Sequence, residues 1–243
     1  MGLDCCPAPP IPEEVKKILK TIEEKSPDII NIEINKKQKI KDKLNNIYDE
    51  RAQKVSEAKD KSEDELKKLL IEYNKKELKK EKKLISVELD KMHSLWELGI
   101  ELADPLKNFT IDELKKKLDK VPELAKAAVN SQIAEIKAYS PKEFLNSKFG
   151  KPLKDALIKQ GMSKTVLENY KKELLEDRKK RRKEEREKFP YVKQNEFPPE
   201  DEFEFKIDDL YESIFDEYKG AFKEHLKKNM LFIEDDSDDD DDD

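Results

Sequence analysis

Glycine is nearly missing from this chain, with five in 243 residues. That scarcity leaves no glycine-rich loop to cradle a phosphate and few of the tight turns that a sheet of many strands needs. Histidine is as scarce: His93 and His225 are the only two, and neither sits in a cluster with cysteines. His93 and Glu97 are four apart and would share a helix face as half of a metal site, but no second pair supplies further ligands. The expectation is therefore a protein that is not an enzyme, with no catalytic residues, no metal and no cofactor. Its cysteines, Cys5 and Cys6, are adjacent and cannot form a disulfide framework. No stretch approaches the roughly 18 consecutive apolar residues of a membrane-spanning helix. The N-terminus also lacks a basic start followed by an apolar run, so no secretory signal is expected and the location expected is cytoplasmic.

What remains is charge. Asp, Glu, Lys and Arg make up 44% of the residues against 35% hydrophobic and 7% aromatic. Apolar residues this sparse do not fill one globular core of this size, whereas a Lys, Glu and Leu composition suits long solvated helices. The fold class expected is all-α: long helices or coiled coil, a small helical bundle, and a disordered acidic tail. The tail explains the net charge of −6, because 234–243 holds nine acids and the rest of the chain is mildly basic. Arg178 to Lys188 holds eight Lys or Arg against three Glu, whereas Glu196 to Tyr218 holds ten acids against Lys206 alone.

Proline marks the organisation. Residues 1–12 carry four prolines and read as a leader, and 13–35 as a short helix with a connection. Its stripe Val15, Ile18, Leu19, Ile22 must dock on something. Ser26 with Pro27 reads as a stop and restart, and Ser as N-cap. From 36 to 103 there is no proline, and one continuous helix would reach roughly 100 Å. Ile40, Leu44 and Ile47, then Leu66, Leu69 and Tyr73, step by fours and threes as a coiled-coil interaction seam, for self-association or a protein partner. The seam thins between Arg51 and Ser62, and KKELKKEKK has only Leu78. Because Ser62 and Glu65 form a capping box, two helices of about 35–60 and 62–103 folded as a hairpin are the alternative. Residues 104–162 read as the small bundle. There Thr110 and Glu113 form a capping box, and Leu124, Ile133, Ile136, Phe144, Leu145, Leu153 and Leu157 are among the core residues.

A charged helix over 163–188 ends in the run Lys179, Lys180, Arg181, Arg182, Lys183. This run fits a nuclear-import signal or a phosphate-contacting patch, and equally a solvated helix face. An acidic linker over 189–206 leads to an amphipathic helix over 207–232, on which Leu210, Ile214, Phe215, Tyr218, Phe222 and Leu226 share a face suited to a partner's groove. The tail 233–243 sets Ser237 among acids, as acid-directed kinases favour. Met1 and Gly2 with Cys5 and Cys6 resemble the start of acylated proteins, which implies lipid on Gly2, Cys5 or Cys6 and peripheral membrane contact. Three functions follow. The first is an intracellular coiled-coil scaffold or adaptor. The second is a nuclear or RNA-associated factor using 178–188 under control of the acidic tail. The third is a lipid-anchored peripheral protein.

Overall fold

In a computed structural model, residues 12–58 and 60–188 are described, and every regular element among them is helical. Six helices follow in chain order: α1 (Glu13–Glu57), α2 (Glu63–Leu118), α3 (Glu123–Ala138), α4 (Pro141–Asn146), α5 (Lys151–Lys159) and α6 (Lys164–Lys188). No helix among the described residues is long and apolar enough to cross a membrane. The leader, the acidic linker, the 207–232 helix and the tail expected from the sequence lie outside the described residues.

The described residues divide into two compact units, 12–28 with 95–161 and 29–94 with 162–188. In the first, the α1 stripe finds its dock: Ile18 and Ile22 are buried, and Lys25 pairs with Glu101 of α2 at 3.2 Å. Trp96, Phe144, Leu145, Ile136, Leu153 and Leu157 form the core of this unit, each at most 1% exposed. Fully burying each such side chain is worth about 1.5–3 kcal/mol. Leu124, expected in the core, is 95% exposed instead. It stands in the first turn of α3, whose buried side is set by Ile133 and Ile136 three residues apart.

Two of the expected helix boundaries are absent. Pro27 lies inside α1 and Pro105 inside α2. Each proline removes one backbone bond, at about 3 kcal/mol or more, but buried neighbours hold the helix across it: Ile22 and Ser26 before Pro27, and Leu102, Ala103 and Leu106 around Pro105. Ser26 does not cap. Its hydroxyl donates back to the carbonyl of Ile22 in the turn above, a bond available to serine within a helix. Thr110 likewise donates to the Leu106 carbonyl at 2.8 Å and caps nothing, because α2 continues to Leu118.

Within 36–103 the helix is interrupted, since α1 ends at Glu57 and α2 begins at Glu63, and both helices run beyond the expected 35–60 and 62–103. Ser62 and Glu65 form the expected reciprocal box: the Ser62 amide donates to Glu65 Oε2 at 3.2 Å and the Glu65 amide to Ser62 Oγ at 3.4 Å. A second box, Ser140 with Glu143, starts α4. Gly161 closes α5 with φ of 112°, a conformation that glycine adopts without Cβ strain.

Gly150 and Gly99 make opposite demands. A Cβ on Gly150 would sit 2.2 Å from the Phe144 carbonyl oxygen and 2.7 Å from Leu145 Cα, both main-chain atoms. A Cβ on Gly99 would meet the tip of the Leu157 side chain, which can rotate away. Gly150→Ala is therefore expected to destabilise the first unit by about 1–3 kcal/mol. Gly99→Ala is expected to cost less, since helix propensity returns up to about 1 kcal/mol. Denaturant unfolding of the two variants checks the order.

Candidate functional site

The second unit is built on 29–57 of α1, 63–94 of α2 and α6. Its ion pairs order the three helices. Glu33 and Lys37 of α1 meet Glu88 and Lys91 of α2, and Arg51 meets Glu77, so α2 runs back along α1. Tyr170 of α6 lies at Lys37, while Arg178 lies at Glu77 and Glu81, so α6 runs parallel to α1.

Along the part of α2 in this unit, Leu70, Asn74, Glu77, Glu81, Leu84, Glu88 and Met92 form an enclosed stripe, none more than 2% exposed. They step by four fours and two threes, a seam in which polar side chains occupy core positions. The apolar seam expected from the sequence is its flank. Of its six residues, Leu44 and Tyr73 are buried, whereas Ile40, Ile47, Leu66 and Leu69 are half-buried. The thin stretch between Arg51 and Ser62 is not a gap either, since Arg51, Val55 and Ala58 are all buried.

Two charged layers result. In the first, Lys37 bridges Glu33 and Glu88, and Lys91 pairs with Glu88 and stands 3.9 Å from Glu33. The Lys37 ammonium also lies 4.0 Å over the Tyr170 ring. Burial alone would raise the Glu88 carboxyl, but hydrogen bonds from Lys37 and Lys91 outweigh it and hold the group below the ordinary carboxylate range. A groove of about 500 Å³ opens beside this layer, between Ile34, Lys37 and Lys41 of α1 and Val166, Asn169, Tyr170 and Glu173 of α6. Its three lysines (Lys37, Lys41, Lys91) and three glutamates (Glu33, Glu88, Glu173) balance in formal charge, leaving a polar wall.

In the second layer, Arg51 Nη1 donates to Glu77 at 3.0 Å. Arg178 Nε lies 3.4 Å from Glu77 and 3.6 Å from Glu81, and Arg182 is buried one turn further along α6. Arg181 stacks on the Tyr48 ring at 4.0 Å. Glu77 is bonded directly to Arg51, whereas Glu81 has only the more distant Arg178. Burial, only partly offset by Arg178 and aggravated by Glu77, pushes the Glu81 carboxyl up to about 8. Burial also lowers Arg182, with the Arg178 charge adding to it, to about 10. The Tyr48 hydroxyl is raised by burial and by the two glutamates.

The expected basic patch is thereby divided. Lys179, Lys180 and Lys183 are exposed, but Arg182 is 7% exposed and Arg181 is half-buried against Tyr48. The buried stripe of α6, Leu167 and Leu174, is continued in steps of four by Arg178 and Arg182. That periodicity was the available signal, hidden because arginine reads as surface. Among the described residues no group of three or more His, Cys, Asp or Glu is placed to hold a metal. Gly2, Cys5, Cys6, Ser237 and the Leu210, Ile214, Phe215, Tyr218, Phe222, Leu226 stripe lie outside the described residues. No protein-family model, curated protein or solved structure matches this chain.

Removing one member of a buried pair leaves its partner's charge desolvated. Glu77→Ala is expected to destabilise the fold by about 3–5 kcal/mol, well above an exposed pair such as Lys20 with Glu24, at about 0–1 kcal/mol. Chemical denaturation measures both. Glu81 gives a pH signature. Its folded value lies above the ordinary 4.5, so the native state retains a proton that the unfolded chain releases. The contribution is whole below about pH 4.5 and lost as pH rises through about 8. The melting temperature of the native chain should therefore fall against that of Glu81→Gln between pH 5 and 8, and parallel curves would contradict the assignment.

Proposed function

We propose that this chain is a scaffold or adaptor that acts by protein–protein interaction and not by catalysis. The observation that carries this reading is the registration of three helices by buried ion pairs at Glu33, Lys37, Glu88 and Lys91 and at Arg51, Glu77 and Arg178. Buried pairs contribute little net stability compared with apolar packing of the same volume; their best-attested use is to select one register and one set of neighbours. A bundle held in one register presents its outer side chains at defined spacings, which is what a docking platform requires. Leu44 and Tyr73 are enclosed within the unit, so the surface offered to a partner is assigned instead to residues such as Ile34 and Val166. Both are exposed at the rim of the groove, at 53% and 37%. The partner is another protein or a second copy of the chain, in the cytoplasm.

A second reading, a nuclear or RNA-associated factor, is supported by the exposure of Lys179, Lys180 and Lys183. The inward turn of Arg182 leaves it fewer charges than the sequence offered. Lipid anchoring through Gly2, Cys5 or Cys6 remains a third proposal, decided by fractionating Cys5→Ser and Cys6→Ser variants.

The scaffold reading is tested with the full-length chain carrying Ile34→Asp and Val166→Asp. Helix content by circular dichroism is expected to be unchanged. A defined complex, seen as stoichiometric co-purification or as a multiple of the chain mass in light scattering, is expected in the native chain and lost in the variant. A native chain that is monomeric and enriches nothing at stoichiometric level would refute it. Changing Lys179, Lys180 and Lys183 to Ala should leave that complex intact, whereas the second reading requires loss of nuclear accumulation.

A further inference from the structure

The two charged layers of the second unit differ in their balance. In the first, Lys37 and Lys91 meet Glu33 and Glu88 in equal number. In the second, the enclosed arginines Arg51, Arg178 and Arg182 face the enclosed Glu77 and Glu81, and Arg181 adds a further cation at the edge, its Nη2 3.9 Å from the exposed Asp177. Donors are in excess there as well. Arg178 is 2% exposed and approaches Glu77 and Glu81 through Nε, while its Nη1 and Nη2 are buried with no hydrogen-bond partner among the described residues. The same holds for Nη1 of Arg181 and for the Tyr48 hydroxyl. These groups belong to one place. Arg178 and Arg181 are three apart on α6 and share its face, Arg181 stacks on the Tyr48 ring, and the charges of both arginines reach the Tyr48 hydroxyl. A buried donor without an acceptor is costly, and a charged one more so.

We infer that Tyr48, Arg178 and Arg181 form a binding site for a small phosphate-type oxyanion, which accepts hydrogen bonds from the Tyr48 hydroxyl, from Nη1 and Nη2 of Arg178 and from Nη1 of Arg181. Every group that the site offers is a donor, so its ligand is an acceptor, and the paired N–H groups of a guanidinium match two oxygens of a phosphate. The local field favours an anion. Glu81 retains a proton near neutrality, which removes one of the two enclosed negative charges, and Arg182 is lowered in part by the charge of Arg178, as crowded cations are. Burial sets the size of the ligand. Arg51 and Arg178 are each 2% exposed and Arg182 is 7% exposed, so the backbone of a nucleic acid or the face of a bilayer does not reach them, whereas a small free anion does. Arg181, whose side chain is a third exposed, is the way in. Bound there, the anion joins α1 to α6 beside the pairs that register them. The inference goes beyond the scaffold reading and does not depend on it.

The test titrates inorganic phosphate into the full-length chain by isothermal calorimetry, in sodium chloride of matched ionic strength. Saturable binding of one phosphate per chain is expected, with a rise in melting temperature that follows the occupancy of the site. Tyr48→Phe keeps the ring on which Arg181 stacks and removes only the hydroxyl. Its melting temperature in chloride is expected to equal that of the native chain, and its affinity for phosphate to fall about tenfold, as for a lost hydrogen bond to a charged group. Arg181→Gln is expected to weaken binding at least as much, and changing Lys179, Lys180 and Lys183 to Ala to leave it unchanged. Should Tyr48→Phe lower the melting temperature in chloride, Arg181→Gln decides. Glycerol phosphate titrated in the same way tells free phosphate from a phosphomonoester, and either ligand bears the inference out. No saturable binding by the native chain, native affinity in the deciding variant, or binding abolished by the three lysine changes would each overturn it. So would capture of single-stranded RNA or of phosphatidylserine vesicles by a chain that does not respond to phosphate.

Discussion

The desolvated carboxylates of α2 constrain everything else in the second unit. An ionised glutamate withdrawn from water costs several kcal/mol unless a cation and hydrogen bonds replace the lost hydration. Glu77 and Glu88 are both nearly inaccessible, so each needs a cation at a defined height on a neighbouring helix. Arg51, Arg178, Lys37 and Lys91 supply them. A slip of α1 or α6 by one turn would move these cations about 5.4 Å out of reach, whereas leucine facing leucine would survive such a slip at modest cost. Glu81 marks how far the compensation extends. Two carboxylates share Arg178, and the one without a direct bond to Arg51 retains a proton near neutrality.

The first unit is stabilised differently. Its interior is apolar, with Trp96, Phe144 and Leu157 at its centre, and its termination devices are local: the Ser140 and Glu143 box, the positive φ of Gly161, and the close approach of Gly150 to the Phe144 carbonyl. Its packing is dense enough that a single methyl at Gly150 has nowhere to go. α1 and α2 each contribute to both units, so the two kinds of interior, one greasy and one ionic, are written along the same pair of helices. A sequence that is 44% charged and 35% hydrophobic cannot provide a wholly apolar core for both.

Where the sequence was misleading, charge was mistaken for surface. KKELKKEKK looks like a break in an apolar seam, yet Glu77 and Glu81 occupy the seam positions between Asn74 and Leu84. DRKKRRKEEREK looks like the end of a stripe, yet Arg178 and Arg182 prolong it. In both cases the three-and-four spacing was present and only the polarity argued otherwise. The prolines misled in the opposite direction. Pro27 and Pro105 are strong local stop signals, but the loss of one backbone bond is smaller than the gain from keeping Ile22, Leu102 and Leu106 enclosed.

Local chemistry on its own determined the helical character, the interruption at Ser62 with its reciprocal cap, the restarts at Pro141 and Pro152, and the apolar residues from Ile133 to Leu157 that form a core. Glycine scarcity, capping side chains and i, i+3, i+4 spacing act within a few residues and need no partner. Tertiary packing alone decided which face of α2 was enclosed, which arginines of 178–183 turned inward, and that two prolines would be carried through. Each of these depends on what a distant stretch of chain brings into contact. The free energy of burying a glutamate changes from a large cost to an acceptable one only once a specific cation, 26 residues away for Arg51 and Glu77, arrives beside it.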